Sequence, residues 1–132
     1  DAGLSTTCNF IFGYPYETMN DAFKSIVLAS KLKSQDLNGF IFTPYHGTPL
    51  RRLAAEGGFI PKDLIVDMRN DEAGSYLKMP APYMSSEDIQ YMHDNYVKMV
   101  RELENGMEVE ELEEKLKKRT SFVRLDETGR WN

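Results

Sequence analysis

One cysteine, one tryptophan and two histidines stand among the 132 residues. The lone Cys8 excludes an internal disulfide, and a reducing, cytoplasmic setting is the simpler expectation. One cysteine and two histidines also fall short of a structural zinc site, so no metal ligand is assigned. No apolar run is long enough to cross a bilayer, and no membrane partner is expected. Basic residues are the minority: 16 Lys and Arg against 21 Asp and Glu leave a net charge of −5. That balance argues against a nucleic-acid backbone as the main partner. Internal repeats and low-complexity tracts are absent. What is present, 41% hydrophobic and 28% charged residues, suits a soluble globular chain with room for one domain. The opening Asp1-Ala2-Gly3 has neither a Met nor a basic segment ahead of an apolar one, so the chain reads as a piece of something longer.

Leu4 to Phe12 is rich in β-branched and aromatic residues and stops at Gly13-Tyr14-Pro15. This predicts a strand over about residues 5–12. Its end is continuously apolar, as expected of a strand covered on both faces. Thr18 is placed to cap a helix, with Asp21 three residues later at its positive end. Phe23, Ile26, Val27 and Ser30 share a face of that helix, and Ser34-Gln35-Asp36 closes it. A second strand is predicted over 39–43, ended by Pro44. Strand, helix and strand at this spacing form a βαβ unit with parallel strands.

Thr48 then caps a short helix with Pro49 at its first position, Leu50, Leu53 and Ala54 inward, and a left-handed Gly57 as its stop. Residues 61–84 read as an extended, surface-hugging loop, with a short helix favoured around Leu64, Ile65, Val66 and Met68. A helix capped by Ser85 or Ser86 carries Ile89, Met92, Tyr96, Met99, Val100 and Leu103 as its apolar stripe. The last helix, Glu108 to Arg119, has pairs such as Glu111–Lys115, Glu113–Lys117 and Glu114–Lys118 and a thin apolar face of Val109, Leu112 and Leu116. It is expected to pack weakly or against a missing neighbour. Residues 120–132 read as a loose tail in which Phe122, Val123 and Leu125 are suited to an edge strand. The division is therefore 1–60, 61–84, 85–119 and 120–132.

In a parallel α/β sheet ligands bind beyond the carboxyl ends of the strands. Gly13-Tyr14-Pro15-Tyr16-Glu17-Thr18 and Thr43-Pro44-Tyr45-His46-Gly47-Thr48-Pro49 occupy those ends. Parallel neighbours lie about 4.8 Å apart, so the two loops should share one rim. Each feature also has a plainer reading. Gly13 and Pro15 serve to turn the chain, and Glu17 serves as a helix-dipole complement. The tyrosines cap a core, and His46 is a hydrogen-bonded surface group. Cys8 is a small apolar side chain, and His93 is solvated.

Asn9-Phe10-Ile11-Phe12-Gly13-Tyr14-Pro15-Tyr16-Glu17-Thr18 resembles the fifth-strand segment of radical S-adenosylmethionine (SAM) enzymes, in which a hydrophobic strand runs into Gly-x-Pro-x-Glu-Thr. Phe42-Thr43-Pro44-Tyr45-His46-Gly47-Thr48-Pro49-Leu50 is similar to their sixth-strand segment, nearest the cobalamin-binding branch. Leu77-Lys78-Met79-Pro80 and Ser85-Ser86-Glu87-Asp88-Ile89 continue the likeness to about residue 90.

The resemblance implies the C-terminal part of a partial (β/α)6 TIM-like barrel. It also implies an oxidoreductase-type iron–sulfur enzyme that, in the full-length protein, cleaves SAM reductively to a 5′-deoxyadenosyl radical. By that likeness Phe10, Ile11 and Gly13, with the backbone of Thr43, Pro44 and Tyr45, lie against the SAM adenine. Tyr14, Tyr16, Glu17, His46 and Thr48 form the rim, with Glu17 and Thr18 organising the turn and helix start.

The implied cofactors are SAM and a [4Fe–4S] cluster, with cobalamin in that branch. The implied partners are the earlier barrel strands, a cobalamin domain of the same protein, a reductant protein and a small-molecule substrate. The Cys-x3-Cys-x2-Cys cluster motif is absent here, so this piece alone is expected to bind no cofactor and to be inactive. Which residue is catalytic stays unknown. With the other strands absent, exposed apolar surface is expected at Phe10, Phe12, Phe40 and Phe42. The alternatives are a small α/β protein-interaction module without catalysis, and a phosphate-binding α/β enzyme using the Thr48 helix N-terminus.

Overall fold

The computed structural model describes residues 3–66 and 74–119. They form two strands and four helices in the order β1 (Thr7–Phe12), α1 (Met19–Leu32), β2 (Asp36–Ile41), α2 (Pro49–Glu56), α3 (Ser86–Glu104) and α4 (Val109–Arg119). The strands are parallel, with Thr7 opposite Asp36 and Phe12 opposite Ile41. The expected βαβ unit is therefore present, with β2 beginning three residues earlier than its sequence suggests. No described helix is long and apolar enough to cross a membrane.

Local chemistry accounts for the helix starts. Thr18 accepts from the Asp21 N–H while the Asp21 carboxylate accepts from the Thr18 N–H, a reciprocal cap on α1. Ser85 and Asp88 repeat it at α3, at 3.1 and 3.2 Å. Thr48 caps α2 ahead of Pro49. Replacing Ser85 by Ala leaves the first turn of α3 with unpaired donors. Its expected effect is a loss of about 1 kcal/mol in urea unfolding. The ends are less regular. α1 closes on Lys33 in the left-handed conformation, φ 50°. Beyond α2 the left-handed residue is Gly58 (φ 76°), not the expected Gly57, which keeps a right-handed φ of −76°.

α1 and α3 pack on each other, and α3 lies on β2. The Tyr96 hydroxyl donates to the Leu37 carbonyl (3.1 Å), and the Arg101 guanidinium donates to those of Ser34 (2.9 Å) and Gln35 (2.8 Å). Gly39 is needed beneath this helix, because a Cβ there would sit 2.5 Å from the Tyr96 ring. The buried line on α1 is Met19, Ala22, Phe23, Ile26 and Ala29, with Val27 and Ser30 only half-buried at its margin.

Several expectations require correction. β1 is not covered on both faces: Phe10 and Phe12 are buried while Thr7, Asn9 and Ile11 are exposed. Phe10, Phe12 and Phe42 are buried, and Phe10 and Phe12 pack against Tyr96; of the four phenylalanines only Phe40 is bare. Leu50 and Leu53 are exposed, leaving Ala54 as the buried residue of α2. α4 makes no broad contact with any other described element, although Leu112 and Leu116 are buried and belong to the core with Phe12, Ile26 and Met92. Of its expected ion pairs, Glu113–Lys117 is present at 4.0 Å and Glu114 pairs with Lys117 at 3.3 Å.

Residues 64–66 form no regular element, while Met68 and the acidic Asn70-Asp71-Glu72 stretch lie outside the described residues. Residues 74–84 do more than skirt the surface. Leu77, Met79 and Met84 are buried, and the Lys78 N–H donates to the Phe59 carbonyl at 2.9 Å. Irregular backbone can serve as core here because its apolar side chains fill space that no helix covers. The tail, with Phe122, Val123 and Leu125, lies outside the described residues.

Candidate functional site

Both loops leave the same end of the sheet, and the pairing continues beyond the strands through a Phe42 N–H to Phe12 carbonyl bond of 2.8 Å. Gly13 follows at φ 81°, a conformation that suits glycine. A Cβ there would fall 2.6 Å from Ile89 Cδ1. The chain then turns, with the Glu17 N–H donating to the Tyr14 carbonyl at 3.1 Å, and Tyr16 adopts φ 67°. The left-handed backbone aims the Tyr16 ring edge-on at Phe59 (4.9 Å) and Tyr83 (5.1 Å).

Glu17 is the unusual residue of this turn. It is not a first-turn dipole complement, because it precedes the cap and is 2% exposed. Its carboxylate accepts from the Gly13 N–H at 2.6 Å. Its own carbonyl accepts from the Met84 N–H at 2.9 Å. Burial pushes its carboxyl up to about 7, against the pull of the Gly13 N–H, with the Asp21 charge adding to the rise. Tyr14 is pushed up to about 12 by burial first and then by the charge of Glu17. Tyr14 nevertheless reaches solvent, 37% exposed.

The second loop is also internally tied. The Tyr45 N–H donates to the Thr43 carbonyl (2.9 Å), and the Thr48 hydroxyl donates to the Tyr45 carbonyl (2.8 Å). Gly47 turns the chain at φ 82°. Pro44 is fully buried, so it contributes backbone rather than a contact surface, while Tyr45 and His46 are exposed. Arg51, which the sequence did not single out, donates to the carbonyls of Pro44 (2.9 Å) and Leu64. It pins this loop to the chain beyond α2.

Below the rim, the face of the sheet opposite the helices is uncovered among the described residues. Register stacks three pairs on it: Thr7 with Asp36, Asn9 with Asn38, and Ile11 with Phe40. The Asn38 side-chain amide donates to Asn9 Oδ1 at 3.2 Å. Ile11 is 55% exposed and Phe40 57%. The face is thus polar at the start of the strands and apolar directly beneath the Gly13 and Thr43 turns.

The structure therefore brings Ile11, Gly13, Tyr14, Thr43 and Tyr45 to one end. Phe10 does not join them, because its ring points into the helix-covered core. A ligand on the open face meets Phe40 instead. Phe40 was legible as a strand residue, but its face depends on the register. Asn9, Asn38, Phe59 and Tyr83 were missed for the same reason: they are assembled by tertiary contacts. Among the described residues no group of three or more His, Cys, Asp or Glu is placed to hold a metal. Cys8, half-buried on the helix side of β1, offers one thiol where a [4Fe–4S] cluster needs several, so these residues do not fit a cluster by themselves. Comparison of the chain with protein-family models, curated proteins and solved structures finds no match.

Proposed function

We propose that this chain forms the C-terminal flank of a radical SAM barrel of the cobalamin-binding branch and supplies the wall of the site that takes the SAM adenine. One observation carries the reading. Two parallel strands have helices on one face and a bare apolar pair, Ile11 and Phe40, on the other, directly beneath two loops from their carboxyl ends. Strands of a β/α barrel are arranged in this way, with helices outside and the opposite face turned to the other strands. A flat, apolar purine suits the Ile11–Phe40 surface, which lies below the loops that carry Tyr14 and Tyr45.

The cluster would come from cysteines elsewhere in the protein, and when bound it supplies the electron that cleaves SAM. This chain's residues bind and orient. Ile11 and Phe40 give apolar area, Glu17 fixes the Gly13 backbone, and Arg51 fixes the Thr43–Tyr45 turn. The test is anaerobic reconstitution of the complete reading frame with iron and sulfide, reduction, and assay for 5′-deoxyadenosine. Product formation, reduced by Ile11→Asp, is the expected result. A reading frame without the three-cysteine motif, or a reconstituted protein that leaves SAM intact, overturns the assignment. The exposed Ile11–Phe40 pair would then favour the second reading, a protein-interaction module.

A further inference from the structure

The open face of the sheet is graded along its strands. Register puts Thr7 beside Asp36, Asn9 beside Asn38 and Ile11 beside Phe40, each pair about 6.6 Å from the next. All six side chains alternate away from the helices and are exposed. The two asparagine amides hold four N–H bonds and four oxygen lone pairs, and the 3.2 Å bond between them uses one of each. Three donors and three acceptors are left over, and reversing the bond does not change that count. Among the described residues nothing else bonds to these amides. Charge narrows what they suit. The six residues include no Lys, Arg or His, and the one ionised side chain is Asp36, a pair away. An anion laid on the amides would meet that negative charge with no cation to offset it.

We propose that the Asn9–Asn38 pair is the polar half of this site and selects a neutral hydroxyl- or amide-bearing group over a carboxylate or phosphate, on a ligand whose flat apolar part covers Ile11 and Phe40. The inference deepens the radical SAM reading and rests on it for the ligand. In a barrel the facing strands shut water out from this face, so amides left unmatched are costly and a ligand that matches them is favoured. Two molecules carry such a group there: SAM, in its sugar hydroxyls, and the substrate beside it. An amide pair that merely fixes strand register would show no preference among ligands.

The test uses the complete protein, reconstituted but left unreduced so that SAM stays intact. The probes are benzamide and benzoate, which share a flat ring and differ in a neutral amide against a carboxylate. In ligand-observed NMR titrations benzamide should bind about fivefold tighter than benzoate, the worth of one ordinary hydrogen bond. Asn9→Leu and Asn38→Leu keep the side-chain size and should each abolish that preference, while Ile11→Asp weakens both probes. Equal affinities, tighter benzoate, no binding of either probe, or a preference that survives both leucine variants overturns the polar subsite. The barrel reading then still stands or falls on 5′-deoxyadenosine formation. SAM should displace benzamide. An amide preference lost in the leucine variants but untouched by SAM supports the subsite and overturns the barrel reading. SAM affinity separates the two sources: a fivefold fall in the leucine variants assigns the neutral group to SAM's sugar, and an unchanged value assigns it to the substrate.

Discussion

Gly13→Ala should destabilise the chain by about 2–5 kcal/mol in urea unfolding at fixed pH, summing a left-handed backbone of roughly 1–2 and overpacking of roughly 1–3. The backbone there has φ 81°, where an L side chain is strained. The added methyl would also meet Ile89 at Cδ1 (2.6 Å) and at both Cγ1 and Cγ2 (2.9 Å). Turning the terminal methyl relieves only the first contact, so the turn or α3 must move. Movement of the turn stretches the 2.6 Å bond from the Gly13 N–H to Glu17. A double-mutant cycle separates the two causes. Ile89→Ala alone leaves a cavity in the core, at about 2–5 kcal/mol. In the double variant the crowding is gone, so its loss should fall short of the sum by about 1 kcal/mol or more. Additive losses would show that Gly13 and Ile89 do not touch.

The parts of this fold that could be read from the sequence are those decided within a few residues. Thr18 with Asp21, Thr48 with Pro49 and Ser85 with Asp88 are local hydrogen-bonding patterns, and each stands where a helix begins. The parallel pairing followed from strand, helix and strand, because the intervening helix carries the chain back to the starting end of the first strand. Side-chain faces were harder to read. Phe10-Ile11-Phe12 has no alternation, so nothing local says which ring is covered. That is decided by Tyr96 and α3, about 85 residues away in sequence. The thin apolar face of α4 predicted weak packing, and whether Leu112 and Leu116 are buried depends on core residues far away in sequence, such as Phe12 and Ile26. At the site, the glycine, proline and tyrosines marked the right loops. Arg51 remained hidden because its partners are backbone carbonyls 7 and 13 residues away, which no residue type announces.

The uncovered face gives the same contrast an energetic meaning. Burying Ile11 or Phe40 against a neighbour would contribute about 1.5–3 kcal/mol each if complete, and both are now more than half exposed. The described residues achieve a closed core without that contribution, through α1, α3 and the irregular stretch carrying Leu77, Met79 and Met84. Stability and the open face are therefore separable. The helix side holds the two strands together, and the bare side is left to whatever adjoins it.

Glu17 should make the chain more stable in mild acid than in mild base. Its carboxyl ordinarily titrates at 4.5 and is pushed up to about 7 by burial in the folded chain. Between those two values the folded chain holds a proton that the unfolded chain gives up. This group's contribution therefore falls as pH rises from about 4.5 through 7 and changes little above that. Integrated, the loss approaches ~3 kcal/mol. Glu17→Gln keeps the size and the acceptor for the Gly13 N–H but cannot ionise. It should therefore match the parent chain near pH 5 and exceed it near pH 8. Tyr14→Phe should act the other way: the nearby Tyr14 hydroxyl holds the Glu17 midpoint down, so its removal deepens the loss at pH 8. Thermal unfolding of the three chains at pH 5 and pH 8 measures this directly, because titrations elsewhere are common to all and cancel in the differences. Curves for the Gln variant that run parallel to the parent's across this range would show that Glu17 carries its charge at no expense, and that its burial does not raise its proton affinity.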